Sequence, residues 1–184
     1  MRLFFALELP PRVQAALGRL RPNEESRDYR WAEPSLLHLT LAFLGEQPPE
    51  RLPVLEQVGS AAASGSRPAV LRLGTPGSFG GSRTAPRVLW VGLEGDLEAL
   101  SELHTRLDSA LRQAEFPVEE RPFRPHITLA RRRETAHSGA LVGWPPPDRP
   151  NRSEFTMHHL TLFQSRLSPR GPTYTPLFQF PLGG

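Results

Sequence analysis

One short pattern occurs twice in the chain, and this repeat constrains the fold more than any other feature. The copies are Leu37-His38-Leu39-Thr40-Leu41-Ala42 and Arg124-Pro125-His126-Ile127-Thr128-Leu129-Ala130-Arg131. In each, His and Thr are two residues apart in an apolar, β-favouring run, so their side chains share one face of a strand. The two histidines are 88 residues apart in a chain of 184. We therefore predict two similar halves, each presenting one imidazole and one hydroxyl to a shared cleft.

A structural interpretation competes with this one. Any single copy is readily explained by a histidine on a half-buried strand, because short motifs recur by chance. The two copies also match at the flanking positions, with Leu or Ile after the His and Leu after the Thr. That agreement favours a functional site.

Length and composition narrow the class of protein. A chain of 184 residues suits one compact body, and we predict a single bilobal domain over residues 1–184. The absence of cysteine excludes disulfides, a thiolate nucleophile and cysteine-based metal sites. All 22 basic residues are arginine and the net charge is +3. This positive net charge is compatible with an anionic partner, and it is equally compatible with an ordinary protein whose arginines are solvated.

The N-terminal apolar run is too short for a signal peptide and is interrupted by Glu8 and Pro10, so it predicts a buried strand. No apolar run reaches the roughly 20 residues that a membrane helix needs. We expect a cytoplasmic monomer that does not bind membranes.

Local patterns predict an α+β fold. We expect helices after Pro10-Pro11, after Pro48-Pro49 and over 97–114, the last capped by Gly95-Asp96. We expect strands at 2–9, 69–73, 87–93, 155–167 and 174–180, and one around each motif. The intervening 23–30 should be a surface segment and 74–83 a flexible hairpin connection. Short turns favour antiparallel pairing, so the prediction is two pseudo-symmetric lobes of antiparallel sheet with outer helices, facing each other across a central cleft.

The two motifs together predict a chemistry. Two imidazoles in one cleft can divide a proton transfer, one as base and one as acid, because both titrate near neutrality. Threonine hydroxyls and an arginine suit the non-bridging oxygens of a phosphoryl group. No carboxylate pair or metal-binding pattern accompanies them, so we expect no cofactor. The reaction that fits is metal-free acid–base cleavage of a phosphodiester.

Other residues are weaker candidates for substrate binding. Arg131 follows the second motif, but it is an odd number of residues from His126 and Thr128 and shares their face only loosely. Trp31 suits either the core or a cleft mouth where it could stack on a base. The remaining candidates are Phe43, Arg170 and Tyr174. We interpret His104, His158 and His159 as structural or surface residues.

Four stretches, residues 1–6, 38–45, 124–131 and 165–174, resemble the two-histidine phosphoesterases. More narrowly, they resemble the bacterial and archaeal RNA 2′,3′-cyclic phosphodiesterases, once called 2′–5′ RNA ligases. The resemblance implies a bilobal fold and, as substrate, RNA ending in a 2′,3′-cyclic phosphate, which is opened to a 2′-phosphate. Fragments of tRNA and free nucleotides are candidate partners.

The same resemblance implies a role for each motif residue. His38 would donate a proton to the leaving 3′ oxygen, and His126 would accept one and activate water. Thr40 and Thr128 would hold the phosphate. Two alternatives stay open: an esterase of this type acting on 2′–5′ linkages, including reversible ligation, or on small cyclic phosphates, and a non-catalytic module that binds RNA ends.

Overall fold

A computed structural model describes residues 1–21, 28–82, 85–134, 136, 144–145, 153–169 and 171–183. Within these ranges the chain forms nine strands and three α-helices. The strands are β1 (Arg2–Glu8), β2 (Tyr29–Trp31), β3 (His38–Glu46), β4 (Ala69–Gly81), β5 (Pro86–Gly95), β6 (His126–Arg132), β7 (Phe155–Met157), β8 (His159–Ser168) and β9 (Gly171–Pro181). The helices are α1 (Pro11–Gly18), α2 (Leu52–Ser64) and α3 (Leu97–Gln113).

The strands form two antiparallel sheets. Sheet A has four strands in the order β3-β1-β8-β9, and sheet B has five in the order β2-β6-β5-β4-β7. The two motif strands, β3 and β6, belong to different sheets and contact each other. The predicted α+β fold, with two antiparallel sheets facing each other across a cleft, is confirmed.

Alternation along the motif strands explains their orientation. Leu39 and Ile127 are fully buried, and Leu41 and Leu129 are nearly so. These residues belong to one hydrophobic core that takes side chains from both sheets. Since successive side chains on a strand point to opposite faces, burying this set leaves each His and Thr on the other face.

The helices cover the outer sides of the sheets. Helix α2 packs on β8 and β9, and α3 packs on α2 and β4. The apolar stripe of α3 is buried, and Asp96 caps its first turn by accepting a hydrogen bond from the Ala99 N–H at 3.2 Å. Asp96 also forms a bidentate ion pair with Arg67, which joins the cap to the chain that follows α2. None of the helices in the described ranges is long and apolar enough to span a membrane.

Three sequence-based predictions about the elements were wrong. Residues 74–83 were expected to be a hairpin connection, but β4 continues to Gly81 by pairing with β5, and Gly77 leaves space for the Trp90 side chain. The single strand expected over 155–167 is divided at His158: β7 pairs with β4 in sheet B, and β8 pairs with β1 in sheet A. The short strand β2 (Tyr29–Trp31) begins inside the stretch 23–30, which was expected to be a surface segment without a strand.

Candidate active site

The same β-bulge interrupts both motif strands. In sheet A, Thr40 and Ala42 lie opposite the adjacent residues Ala6 and Phe5, so Leu41 is an extra residue. In sheet B, Thr128 and Ala130 lie opposite the adjacent residues Trp90 and Leu89, so Leu129 is the extra residue. A bulge bends its strand and redirects the side chains beyond it. The two halves therefore share a backbone irregularity as well as a sequence pattern.

The bulge changes which residues share the motif face. Leu129 and Ala130 are both buried, and the next residue, Arg131, is exposed. Arg131 thus returns to the side of Thr128 despite the odd spacing that had weakened its prediction. Phe43 occupies the equivalent position in β3 and is 59% exposed. The two motifs therefore end on an aromatic ring in one lobe and on a guanidinium group in the other.

Both histidine rings are oriented by the same hydrogen bond. The Nδ1 atom of His38 lies 2.7 Å from the carbonyl oxygen of Leu36, two residues earlier. The Nδ1 atom of His126 lies 2.7 Å from the carbonyl oxygen of Arg124, again two residues earlier. A carbonyl only accepts, so each Nδ1 donates and each Nε2 is left for other chemistry. Neutral Nε2 accepts a proton and protonated Nε2 donates one, so this geometry serves either role.

His38 lies in an aromatic environment. Its ring centroid is 5.0 Å from that of Phe4 and 5.2 Å from that of Tyr174, which meets it edge-on at 89°. Burial lowers the pKa of His38; the hydrogen bond to Leu36 opposes this shift, and the nearby Arg131 cation adds to it. The protonated form of His38 is therefore disfavoured in the free protein.

His126 has aromatic neighbours of its own. The ring of Phe79 meets it edge-on at 89° with the centroids 5.0 Å apart, and the Trp90 ring lies 6.2 Å away. Trp90 is the residue opposite Thr128 in the neighbouring strand. Each imidazole is thus held by a backbone carbonyl on one side and by aromatic rings on another.

A cavity of about 600 Å³ lies between the two sheets. Residues from both motifs line it: His38, Thr40, Phe43, Thr128 and Arg131. Tyr174 and Trp31 also contribute to its wall. His126 is next to this wall rather than part of it, two residues from Thr128 on the same strand face. The structure thus brings most of the predicted site residues together around one space.

The weaker candidates for substrate binding lie in different surroundings. Burial raises the pKa of the Tyr174 hydroxyl, while the cations Arg131 and Arg2 lower it, so both arginines lie near this group. Trp31 is only 9% exposed and packs edge-on against Trp144, with 6.0 Å between the ring centroids. It is therefore a core residue that also forms part of the cavity wall. Arg170 lies outside the described residues.

The sequence contains a third copy of the pattern that the motif analysis missed, His159-Leu160-Thr161-Leu162 in β8. Thr161 is 0% exposed and donates a hydrogen bond to Oε1 of Glu8 at 2.8 Å. His159 is exposed and does not line the cavity. The pattern alone is therefore insufficient, and the cavity distinguishes the two site copies from the structural one.

His104 makes a structural contact. His104 stacks on Phe123 with the ring centroids 4.1 Å apart and the planes 7° apart. Burial lowers the pKa of His104, and Asp108 opposes this. Among the described residues, no group of three or more His, Cys, Asp or Glu side chains is placed to hold a metal ion.

Two facing antiparallel sheets, each placing one His-x-Thr pair of a bulged strand at the cavity, define a two-histidine site in a protein of the α+β class. A family model described as the 2′-5′ RNA ligase superfamily matches residues 9–168. The chain therefore belongs to the 2′-5′ RNA ligase superfamily of two-histidine phosphoesterases, as the motifs had suggested.

Individual relatives agree with this family. The RNA 2′,3′-cyclic phosphodiesterase of Thermus thermophilus is 37% identical over 194 residues, covering 100% of this chain and 91% of the relative. The RNA 2′,3′-cyclic phosphodiesterase of Escherichia coli is 31% identical over 190 residues, covering 98% of this chain and 96% of the relative.

Solved structures show the same fold. The crystal structure of a protein from Thermus thermophilus superposes with a TM-score of 0.82 at 35% identity, covering 100% of this chain and 99% of that one. The crystal structure of Escherichia coli LigT in complex with 3′-AMP superposes with a TM-score of 0.79 at 28% identity, covering 100% of this chain and 98% of that one.

Proposed function

We propose that this protein is a cytoplasmic RNA 2′,3′-cyclic phosphodiesterase that acts as a single bilobal unit over residues 1–184. It opens a terminal 2′,3′-cyclic phosphate to a 2′-phosphate by acid–base catalysis, without a metal ion. The observation that carries the proposal is the matched pair of bulged strands, each with a carbonyl-oriented imidazole beside a threonine hydroxyl. The names of the relatives from Thermus thermophilus and Escherichia coli support the choice of substrate.

The phosphate binds between the motifs. Thr40 and Thr128 line the cavity from opposite sheets, so their hydroxyls donate hydrogen bonds to the two non-bridging oxygens. Arg131 lies beside them and supplies positive charge where negative charge develops in the transition state. The exposed ring of Phe43 offers an apolar surface for the terminal nucleoside.

The reaction needs two proton transfers on opposite sides of the phosphorus. Nε2 of His126 accepts a proton from water, whose oxygen forms a new bond to phosphorus. The bond between phosphorus and the 3′ oxygen breaks, and Nε2 of His38 donates a proton to that oxygen. The product carries a 2′-phosphate and a free 3′ hydroxyl. The histidines then exchange protons with solvent and return to their starting states.

The environment of His38 sets a condition on this mechanism. A donor must be protonated, yet burial and Arg131 lower the pKa of His38 in the free protein. A bound phosphate places negative charge beside the ring and raises the pKa again. Substrate binding is therefore coupled to proton uptake at His38.

Product analysis on a short RNA with a 2′,3′-cyclic end tests the proposal. We expect a 2′-phosphate product and unchanged turnover in excess EDTA. A 3′-phosphate product would reverse the assigned leaving group, and loss of activity in EDTA would contradict the metal-free step. RNA binding without turnover would indicate an end-binding module, and turnover confined to a 2′–5′ linkage would indicate a different esterase.

A further inference from the structure

The cavity carries more positive charge than one reacting phosphate requires. Three arginines line it, Arg2, Arg30 and Arg131, and Glu33 is the acidic residue in its wall. Within the described part of the chain, none of the three guanidinium groups makes a hydrogen bond or an ion pair. A terminal cyclic phosphodiester carries a single negative charge.

Some arginines elsewhere on the surface are paired with carboxylates. Examples are Arg67 with Asp96, Arg112 with Asp108 and Arg121 with Glu119. Arg19, Arg106 and Arg166 lie outside the cavity and, among the described residues, have no ion pair either. The feature that sets Arg2, Arg30 and Arg131 apart is therefore their clustering around one cavity.

Two of the three cations are direct cross-strand neighbours. Arg30 in β2 lies opposite Arg131 in β6, and both side chains are exposed at the cavity. Like charges directly opposite each other in an antiparallel pair destabilise the sheet. An anion bound to both groups removes that repulsion, so the arrangement suits a ligand with more negative charge than the reacting group alone.

Arg131 belongs with the reacting phosphate. It acts electrostatically on His38 and on the Tyr174 hydroxyl, so it lies close to both groups. Arg30 sits one strand further out, in the edge strand of sheet B. This position leaves it free for a second anion beside the first.

We propose that Arg30 binds the internucleotide phosphate on the 5′ side of the terminal nucleotide. This inference rests on the proposed function and narrows its substrate to oligonucleotides of two or more residues, in preference to nucleoside 2′,3′-cyclic phosphates. A guanidinium fork binds a phosphodiester through two parallel hydrogen bonds, which suits an edge-strand arginine next to the site.

Steady-state kinetics on two matched substrates test it. One is a dinucleotide ending in a 2′,3′-cyclic phosphate, and the other is the nucleoside 2′,3′-cyclic phosphate of the same base. Arg30→Gln should lower kcat/KM about tenfold for the dinucleotide, the usual scale for a charged hydrogen bond at an exposed site, and leave the nucleoside substrate unchanged. Arg106→Gln, an exposed position on α3 outside the cavity, should change neither.

Two further measurements separate phosphate binding from a fold effect. For single-stranded RNA, losing one phosphate contact should make the slope of log affinity against log salt shallower by about 0.7. The melting temperature of Arg30→Gln without ligand should equal or exceed that of the wild type, because a like-charge pair has been removed.

The outcomes distinguish the two proposals. Wild-type protein that turns over neither substrate overturns the proposed function and this inference with it. Wild-type protein that turns over both equally, with Arg30→Gln unchanged on both, overturns the second phosphate site alone. Equal losses on both substrates would assign Arg30 to the reacting phosphate and also overturn the inference. Arg30→Glu should repeat the effect of Arg30→Gln with a larger loss on the dinucleotide.

Discussion

At the scale of single residues, the two imidazoles have the same backbone anchor and different surroundings. Each donates from Nδ1 to the carbonyl two residues earlier. His38 is partly buried against Phe4 and Tyr174, whereas His126 is next to Phe79 and Trp90. Because the anchoring is identical, the proposed division into an acid and a base depends on the different surroundings of the two rings.

Removing either imidazole should abolish most of the activity without unfolding the protein. His38→Ala and His126→Ala should each reduce kcat by about 10²–10⁴-fold, and the double variant should lose little more than the worse single one. His159→Ala is the matched control, since His159 occupies the third copy of the pattern outside the cavity. Activity loss in the control comparable to that in the site variants would contradict the assignment.

A substrate with an activated leaving group separates the two roles. The aryl oxide of an aryl phosphodiester leaves without being protonated. Such a substrate should therefore partly rescue His38→Ala and leave His126→Ala inactive. Initial rates on the aryl ester and on the RNA substrate make the comparison. Rescue of His126→Ala alone would show that the acid and base roles are the reverse of those proposed.

The titration of His38 should respond to phosphate. Its pKa in the free protein should lie below the ordinary value of 6.5, because burial disfavours the cation. Ring resonances followed by NMR should show this, and added inorganic phosphate should move the midpoint upward. A free-protein midpoint at or above 6.5 would contradict this prediction.

The same shift predicts how stability depends on pH. The unfolded chain binds a proton at His38 more readily than the folded protein does, so the free energy of unfolding should fall as pH drops from about 6.5 through the lowered pKa. Above that ordinary pKa the ring is neutral in both the folded and the unfolded state, so His38 no longer lowers the free energy of unfolding. Denaturant unfolding of wild type and His38→Gln between about pH 7.5 and about pH 5 should show the steeper loss in the wild type.

Residue patterns predicted the two His-x-Thr pairs of the candidate site but not all of their neighbours. The spacing of His and Thr was sufficient because it depends only on strand alternation, which the buried leucines enforce. The position of Arg131 was uncertain because a bulge reverses alternation and leaves no mark in the sequence here. Thr161 matched the pattern and proved structural, because its burial depends on the partner strands rather than on its own segment.

At the scale of elements, the bulges and the length of β4 were outside the reach of sequence reasoning. The stretch after Gly74 has the composition of a loop, yet it pairs with β5 as far as Gly81. Gly77 shows why: a Cβ atom there would overlap the indole of Trp90. Glycine at position 77 is therefore a packing requirement imposed by a neighbouring side chain.

Gly77→Ala should therefore affect both stability and the site. The added methyl group would displace the Trp90 indole, which contacts His126, and we expect a loss of about 1–3 kcal/mol in the free energy of unfolding together with reduced kcat. Denaturant titration and steady-state rates measure the two effects. Gly92→Ala is the control in the same sheet, because a Cβ there would meet Trp90 at an ordinary 3.4 Å. Equal tolerance of both variants would show that Trp90 is free to move.

At the scale of the whole molecule, neither sheet is built from one continuous segment. Sheet A combines the early strands β1 and β3 with the late strands β8 and β9. Sheet B includes β2, which lies between β1 and β3 in the chain, and β7, which directly precedes β8. The strand patterns predicted two lobes but not this exchange, because the switch at His158 has no turn composition. Both lobes also share one core, so they should unfold together.

A chain ending at residue 158 tests this interdependence. It lacks β8 and β9, leaving β1 and β3 as a two-stranded ribbon, which is marginal in water. It also loses the buried residues Leu160 and Leu162. We expect no cooperative thermal transition and no turnover, as followed by circular dichroism and product analysis. A cooperative transition in this fragment would show that sheet B folds independently.

The interleaved order of the strands also has a consequence for synthesis on the ribosome. His38 is translated early, yet its sheet gains a third strand only after residues 159–168 have been made. Tyr174, which packs edge-on against His38, is translated later still. A nascent chain therefore carries both imidazoles long before it has a closed cavity. The proposed activity should therefore appear only near the end of translation.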